Sequence, residues 1–96
     1  ERIGDRTHEL LWRMPLDEAY LAPLKSDEAD LKNGGAKEGP SIAAAVFLKQ
    51  FVDRAIPWAH LDIDGVATTP KDLPYCVKGA TGFGVSLLID FLENRE

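Results

Sequence analysis

Only one stretch of this sequence alternates in the manner of a β-strand, and a single strand cannot make a sheet. From Trp58 to Gly65 the chain reads apolar and polar in turn. Ala59, Leu61 and Ile63 would face one side of a strand, and His60, Asp62 and Asp64 the other. Helical patterns lie on both sides of it. After Pro40, which is tolerated at a helix start, Ala44, Phe47, Leu48, Phe51, Val52 and Ala55 recur at helical spacing until Pro57 ends the run. Near the end, Val85, Leu88, Ile89 and Leu92 fall at i, i+3, i+4 and i+7. Thr81 is the expected N-cap of that helix, with Gly82 and Gly84 placed to let backbones approach closely. The order is therefore helix, strand, helix, as in the last part of an α/β layer. Two apolar helix faces and a lone strand need a larger body to cover them, so the pattern alone predicts a fragment of an α/β domain.

The remaining segments are connectors. Leu10, Leu11, Trp12, Met14 and Leu16 form an apolar cluster, expected to be extended over 10–14 because Pro15 disfavours helix at the residue before it. Asp17 can cap a brief helix through Glu18, Ala19, Tyr20 and Leu21. Residues 25–40 read as a polar loop closed by Gly34-Gly35, Gly39 and Pro40, and residues 66–80 as a loop punctuated by Pro70 and Pro74.

Composition narrows the function classes. The chain has 96 residues, 45% hydrophobic and 28% charged, which is a globular balance rather than a disordered one. A chain this short builds only a marginal core. Its net charge of −5 is spread without a basic stripe, which argues against nucleic-acid and anionic-membrane partners. Cys76 is the single cysteine, so no internal disulfide forms, in keeping with a reducing compartment. The start, Glu1-Arg2-Ile3-Gly4-Asp5, has neither an initiator Met nor an apolar signal region, as expected of a chain cut from something larger or of a processed one.

Several local patterns suggest chemistry, and each has a plainer reading. His8-Glu9-Leu10-Leu11-Trp12 opens like a zinc-protease motif, but Trp12 stands where the second histidine belongs. His60, Asp62 and Asp64 could hold a divalent ion. Alternate strand residues lie nearly 7 Å apart, however, which favours separate hydrogen-bonded polar groups. Gly34-Gly35-Ala36-Lys37-Glu38-Gly39-Pro40-Ser41 precedes a helix, as anion-binding loops do, but it lacks the Gly-Lys-Ser/Thr ending and Pro40 removes a donor. Gly79-Ala80-Thr81-Gly82-Phe83-Gly84 fails the dinucleotide spacing and reads as packing glycines. Cys76 has only Lys78 nearby and reads as a structural thiol.

Taken together and in order, four stretches resemble the leucine (cytosol) aminopeptidase family. They are Trp12-Arg13-Met14-Pro15-Leu16; Ala29-Asp30-Leu31-Lys32-Asn33 with Gly34-Gly35; Trp58-Ala59-His60-Leu61-Asp62-Ile63; and Lys78-Gly79-Ala80-Thr81-Gly82-Phe83-Gly84-Val85. Ala43-Ala44-Ala45 and Phe47-Leu48-Lys49-Gln50-Phe51 are similar to the family's helix before its last central strand. The resemblance covers almost all of residues 1–96 and implies the C-terminal segment of a mixed-sheet α/β catalytic domain. It implies a cytoplasmic homohexamer that releases N-terminal residues from peptides, with two divalent ions, zinc or manganese, assisting hydrolysis. The family's Asn-Thr-Asp-Ala-Glu-Gly-Arg-Leu run and its Lys and Asp ligand segment do not occur in this sequence. No catalytic or metal residue is therefore assigned, and the chain by itself is expected to bind no metal pair and to be inactive. What carries over is substrate-pocket wall, at Asp64 and Ala67. Asp64 departs from the family, which usually has Ala there; Pro40 and Ala43 also depart, from Gly and Thr. A carboxylate in that wall either faces water, pairs with a basic substrate side chain, or marks a decayed homologue. The alternative function is accordingly an inactive homologue or truncated product with a structural or assembly role.

Overall fold

The computed structural model describes residues 1–34 and 37–94, arranged as two compact units. One is Met14–Leu61; the other joins Glu1–Arg13 to Asp62–Glu96. The elements are helix α1 (Arg2–Thr7), a 3-10 helix (Glu18–Leu24), α2 (Pro40–Lys49), β1 (Thr68–Thr69), β2 (Gly79–Ala80) and α3 (Val85–Glu93). Helices with a two-stranded antiparallel sheet are consistent with the α/β class. None of the described helices is long and apolar enough to cross a membrane.

In the Met14–Leu61 unit, Asp17 caps as the sequence predicts, its carboxylate accepting from Ala19 N at 2.8 Å. The helix it starts is 3-10 rather than α and contains Pro23. The core is Leu24, Ile42 and Val46, with Tyr20, Leu21, Leu31 and Phe47 packed around them. The chain enters α2 through Gly39 at φ 57°, a left-handed conformation that glycine adopts without a Cβ penalty. Pro40 takes the first position, as read from sequence.

Two expectations for this unit need correction. Helix α2 ends at Lys49, so Phe51, Val52 and Ala55 lie outside it. The reason is local. The amides of Gln50, Phe51 and Val52 each bond three residues back, at 3.1, 3.1 and 3.2 Å, which tightens the last turn. Asp53 then accepts from Ala55 N at 2.9 Å, a turn that competes with helix. The buried face of α2 is Ile42, Ala43, Ala45 and Val46 rather than the Ala44–Phe47–Leu48 stripe. Ala44 and Leu48 are exposed, because the 3-10 helix covers the other side. Phe47 and Phe51 pack with their rings tilted by 59°, centroids 5.2 Å apart.

The expected strand at Trp58–Gly65 is also absent. Residues 57–63 have no regular secondary structure, and 64–66 form a turn. A strand exists only through its ladder, and no described residue pairs with this one. The described sheet instead lies within the stretch read as a loop. Thr68 pairs with Ala80 and Thr69 with Gly79, and Leu73 bridges Cys76 beyond them.

In the second unit, α1 packs on α3. Arg6 forms a paired salt bridge with Asp90, one arm Nε to Oδ2 at 2.8 Å. Glu9 Oε2 accepts from Leu87 N at 2.7 Å. Leu87 is 6% exposed, whereas the face predicted to be covered, Val85, Leu88, Ile89 and Leu92, is 47–60% exposed. The N-cap of α3 is Gly84, not Thr81. Gly82 and Gly84 do not serve close packing either. A Cβ on either would meet nothing within 4 Å, and what they supply is φ of 72° and 95°.

Candidate functional site

The residues singled out from sequence as pocket wall, Asp64 and Ala67, lie on one tight turn. Its carbonyl hub is Ile63 O, which accepts from Val66 N at 3.0 Å and Ala67 N at 2.8 Å. On the entry side, Asp62 Oδ1 accepts from Asp64 N at 3.0 Å, fixing the backbone at Asp64 as Asp does in Asx-turns. On the exit side, Thr81 N donates to Ala67 O at 2.9 Å, just beyond the β1–β2 ladder. The Thr81 hydroxyl donates to Val66 O at 2.5 Å and accepts from Phe83 N at 3.2 Å. Asp64 is exposed and Ala67 half-buried. No cation among the described residues forms an ion pair with Asp64. The turn therefore presents a carboxylate to solvent on a backbone tied at both ends. Such a group can select a cationic partner.

Thr81 is the residue that sequence reasoning misplaced. Its hydroxyl completes a turn fifteen residues away instead of starting a helix. Only the antiparallel register of 67–69 against 79–81 would have revealed this, and two-residue strands leave no periodic signal.

The other candidates have structural placements. His8 ends α1 in a left-handed conformation at φ 60°, and Glu9 caps α3. His60 stacks against Trp58 with ring centroids 6.2 Å apart. It belongs to one compact unit, and Asp62 and Asp64 to the other. Among the described residues, no group of three His, Cys, Asp or Glu is placed to hold a metal ion. Cys76 is a free, half-buried thiol beside the Leu73 bridge. The Gly34–Ser41 loop lies partly outside the described residues, at Gly35 and Ala36; its Gly39 end has no side-chain cap. An open cleft of about 570 Å³ in the Met14–Leu61 unit is bounded by Leu16, Val52, Ile56 and Trp58, with Lys49 and Arg54 among its charged lining.

Comparison with known proteins joins these observations to a family. Residues 1–89 match the catalytic domain of the cytosol aminopeptidase family. A "Probable cytosol aminopeptidase" of Protochlamydia amoebophila (strain UWE25) is 54% identical over 92 residues, covering 96% of this chain and 18% of that protein. Proteins of the same description from Geobacter sp. (strain M21) and Synechococcus sp. (strain JA-3-3Ab) are each 52% identical, over 95 and 96 residues. They cover 99% and 100% of this chain and 19% of their own length. The chain thus spans about a fifth of the length of the curated relatives it matches. By a match that runs through nearly all of its length, the chain belongs to the cytosol aminopeptidase family.

Proposed function

We propose that this chain is the C-terminal segment of the catalytic domain of a metallo-aminopeptidase, which releases N-terminal residues from peptides in the cytoplasm as a homohexamer. The family match over residues 1–89 carries this reading. Within the complete mixed sheet, Trp58–Gly65 gains the neighbours it needs and becomes a strand, and the exposed stripe of α3 is covered. Two divalent ions, zinc or manganese, supply the Lewis acidity for hydrolysis when bound. The donors of this chain do not fit such a pair, since no trio of ligand side chains gathers among the described residues. We assign the ligands and the catalytic groups to residues outside this chain because the family's Asn-Thr-Asp-Ala-Glu-Gly-Arg-Leu run and its Lys and Asp ligand segment do not occur in its sequence. A metal-dependent peptidase activity in the purified 96-residue chain would overturn that assignment.

This chain's own contribution is pocket wall, at Asp64 and Ala67. Burying an ionised carboxylate against an aliphatic side chain, without a partner, costs several kcal/mol. A cationic side chain offsets that cost. Asp64 thus makes the enzyme disfavour leucyl and favour arginyl substrates. The test compares kcat/KM for leucyl and arginyl substrates in the full-length protein, with Asp64→Ala beside it. Removing the carboxylate is expected to raise the leucyl-to-arginyl ratio about tenfold. Equal leucine preference in both forms sinks the reading.

A further inference from the structure

Thr81 commits both of its donors to one short region. Its amide goes to Ala67 O, its hydroxyl proton to Val66 O, and its hydroxyl oxygen receives Phe83 N. Val66 and Ala67 are the two residues whose amides close the turn on Ile63 O. Asp64 stands inside that turn, followed by Gly65, around which a Cβ would meet nothing within 4 Å. Asp62 holds the turn where the chain enters, and Thr81 holds it where the chain leaves.

We infer that Thr81 is a positioning residue for substrate selection: by clamping Val66 and Ala67 it fixes where Asp64 presents its carboxylate. This rests on the proposed reading of Asp64 and Ala67 as pocket wall. The physical reason is that a solvent-facing carboxylate discriminates between substrates only if its distance to the substrate's first side chain is fixed. A displacement of about 1 Å is enough to forfeit much of a positioned group's effect. Without the hydroxyl, Val66 O and Phe83 N lose their partner together. The turn then keeps its two internal amide bonds, the Asp62 tie to Asp64 N and the Thr81 amide, but no side-chain clamp from Thr81.

A purely structural tie would alter stability and leave selectivity alone, so the decisive readout is a ratio. In the full-length protein, kcat/KM is measured for arginyl and leucyl p-nitroanilides with Asp64→Ala, Thr81→Val, Thr81→Ala and Thr81→Ser. Thr81→Val is near-isosteric and lacks the hydroxyl; Thr81→Ala also lacks it and fits any space left by imperfect packing. Both are expected to lower the arginyl-to-leucyl ratio about fivefold, the worth of one net hydrogen bond. Thr81→Ser keeps the hydroxyl and is expected to hold the ratio within roughly twofold. If Asp64→Ala shifts the ratio and the hydroxyl-free variants do not, the positioning role is overturned and the pocket wall stands. If Asp64→Ala has no effect, the pocket-wall reading fails and this inference fails with it. A Thr81→Ser protein whose ratio falls as far as that of Thr81→Ala also overturns the inference, because the hydroxyl is then not the group that matters.

Discussion

Removing the Glu9 carboxylate should unfasten the first turn of α3. That helix begins at Gly84 without a side-chain cap of its own. An α-helix leaves its first amides without intrahelical acceptors, and buried amides left that way are costly. Glu9, seventy-eight positions earlier, accepts from Leu87 N at 2.7 Å, and Leu87 is among the few buried residues of its unit. The carboxylate also sits at the positive end of the helix, where negative charge is favourable. Loss of a helix cap costs about 0.5–2 kcal/mol, and a hydrogen bond to a charged group about 1.5–3 kcal/mol. The two ranges describe one interaction, and their overlap gives about 1.5–2 kcal/mol for Glu9→Ala. For a domain of this size that is a fall in Tm of about 6–16 °C. Glu9→Gln keeps an acceptor and loses the charge, so it should cost about half as much. Glu28→Ala, an exposed carboxylate in the other unit, serves as control and should stay within about 0.5 kcal/mol. Urea denaturation followed by circular dichroism gives the stabilities. Amide exchange at Leu87 reports whether the loss is local. If Glu9→Ala matches Glu28→Ala in stability and leaves Leu87 exchange unchanged, the capping argument is wrong.

Two further outcomes follow from the same structure. The hydrogen bond from Arg6, opposed by partial desolvation and aided by Asn94, holds the Asp90 carboxyl below the usual carboxylate range. A lowered folded value means that this contribution is complete above the unfolded pKa and is lost as pH falls through the folded one. A Tm-against-pH profile should therefore lose a component at acid pH that Asp90→Asn never shows. Leu24 is 2% exposed at the centre of the Met14–Leu61 core, and Leu24→Ala should cost about 2–5 kcal/mol in denaturant titration.

What the sequence determined by itself was local. Asp17 caps because an aspartate before a helix offers its carboxylate to an amide two residues on. Pro40 starts α2 because the first helical amide needs no partner. The family too was legible, because 52–54% identity extends along nearly the whole chain and its motifs occur in order. Tertiary structure decided what depends on partners distant in sequence. Alternation at Trp58–Gly65 states which side chains could share a face, but a ladder requires a second strand, and none of the described residues supplies one. Periodicity in α2 and α3 marked apolar stripes, but which stripe is buried depends on what packs there: the 3-10 helix over Ile42 and Val46, and α1 near Leu87. The placing of Thr81 shows the same limit at the candidate site. A threonine ahead of an apolar run looks like a cap from sequence, and only the pairing of 67–69 with 79–81 turns its hydroxyl toward Val66 and the turn that carries Asp64.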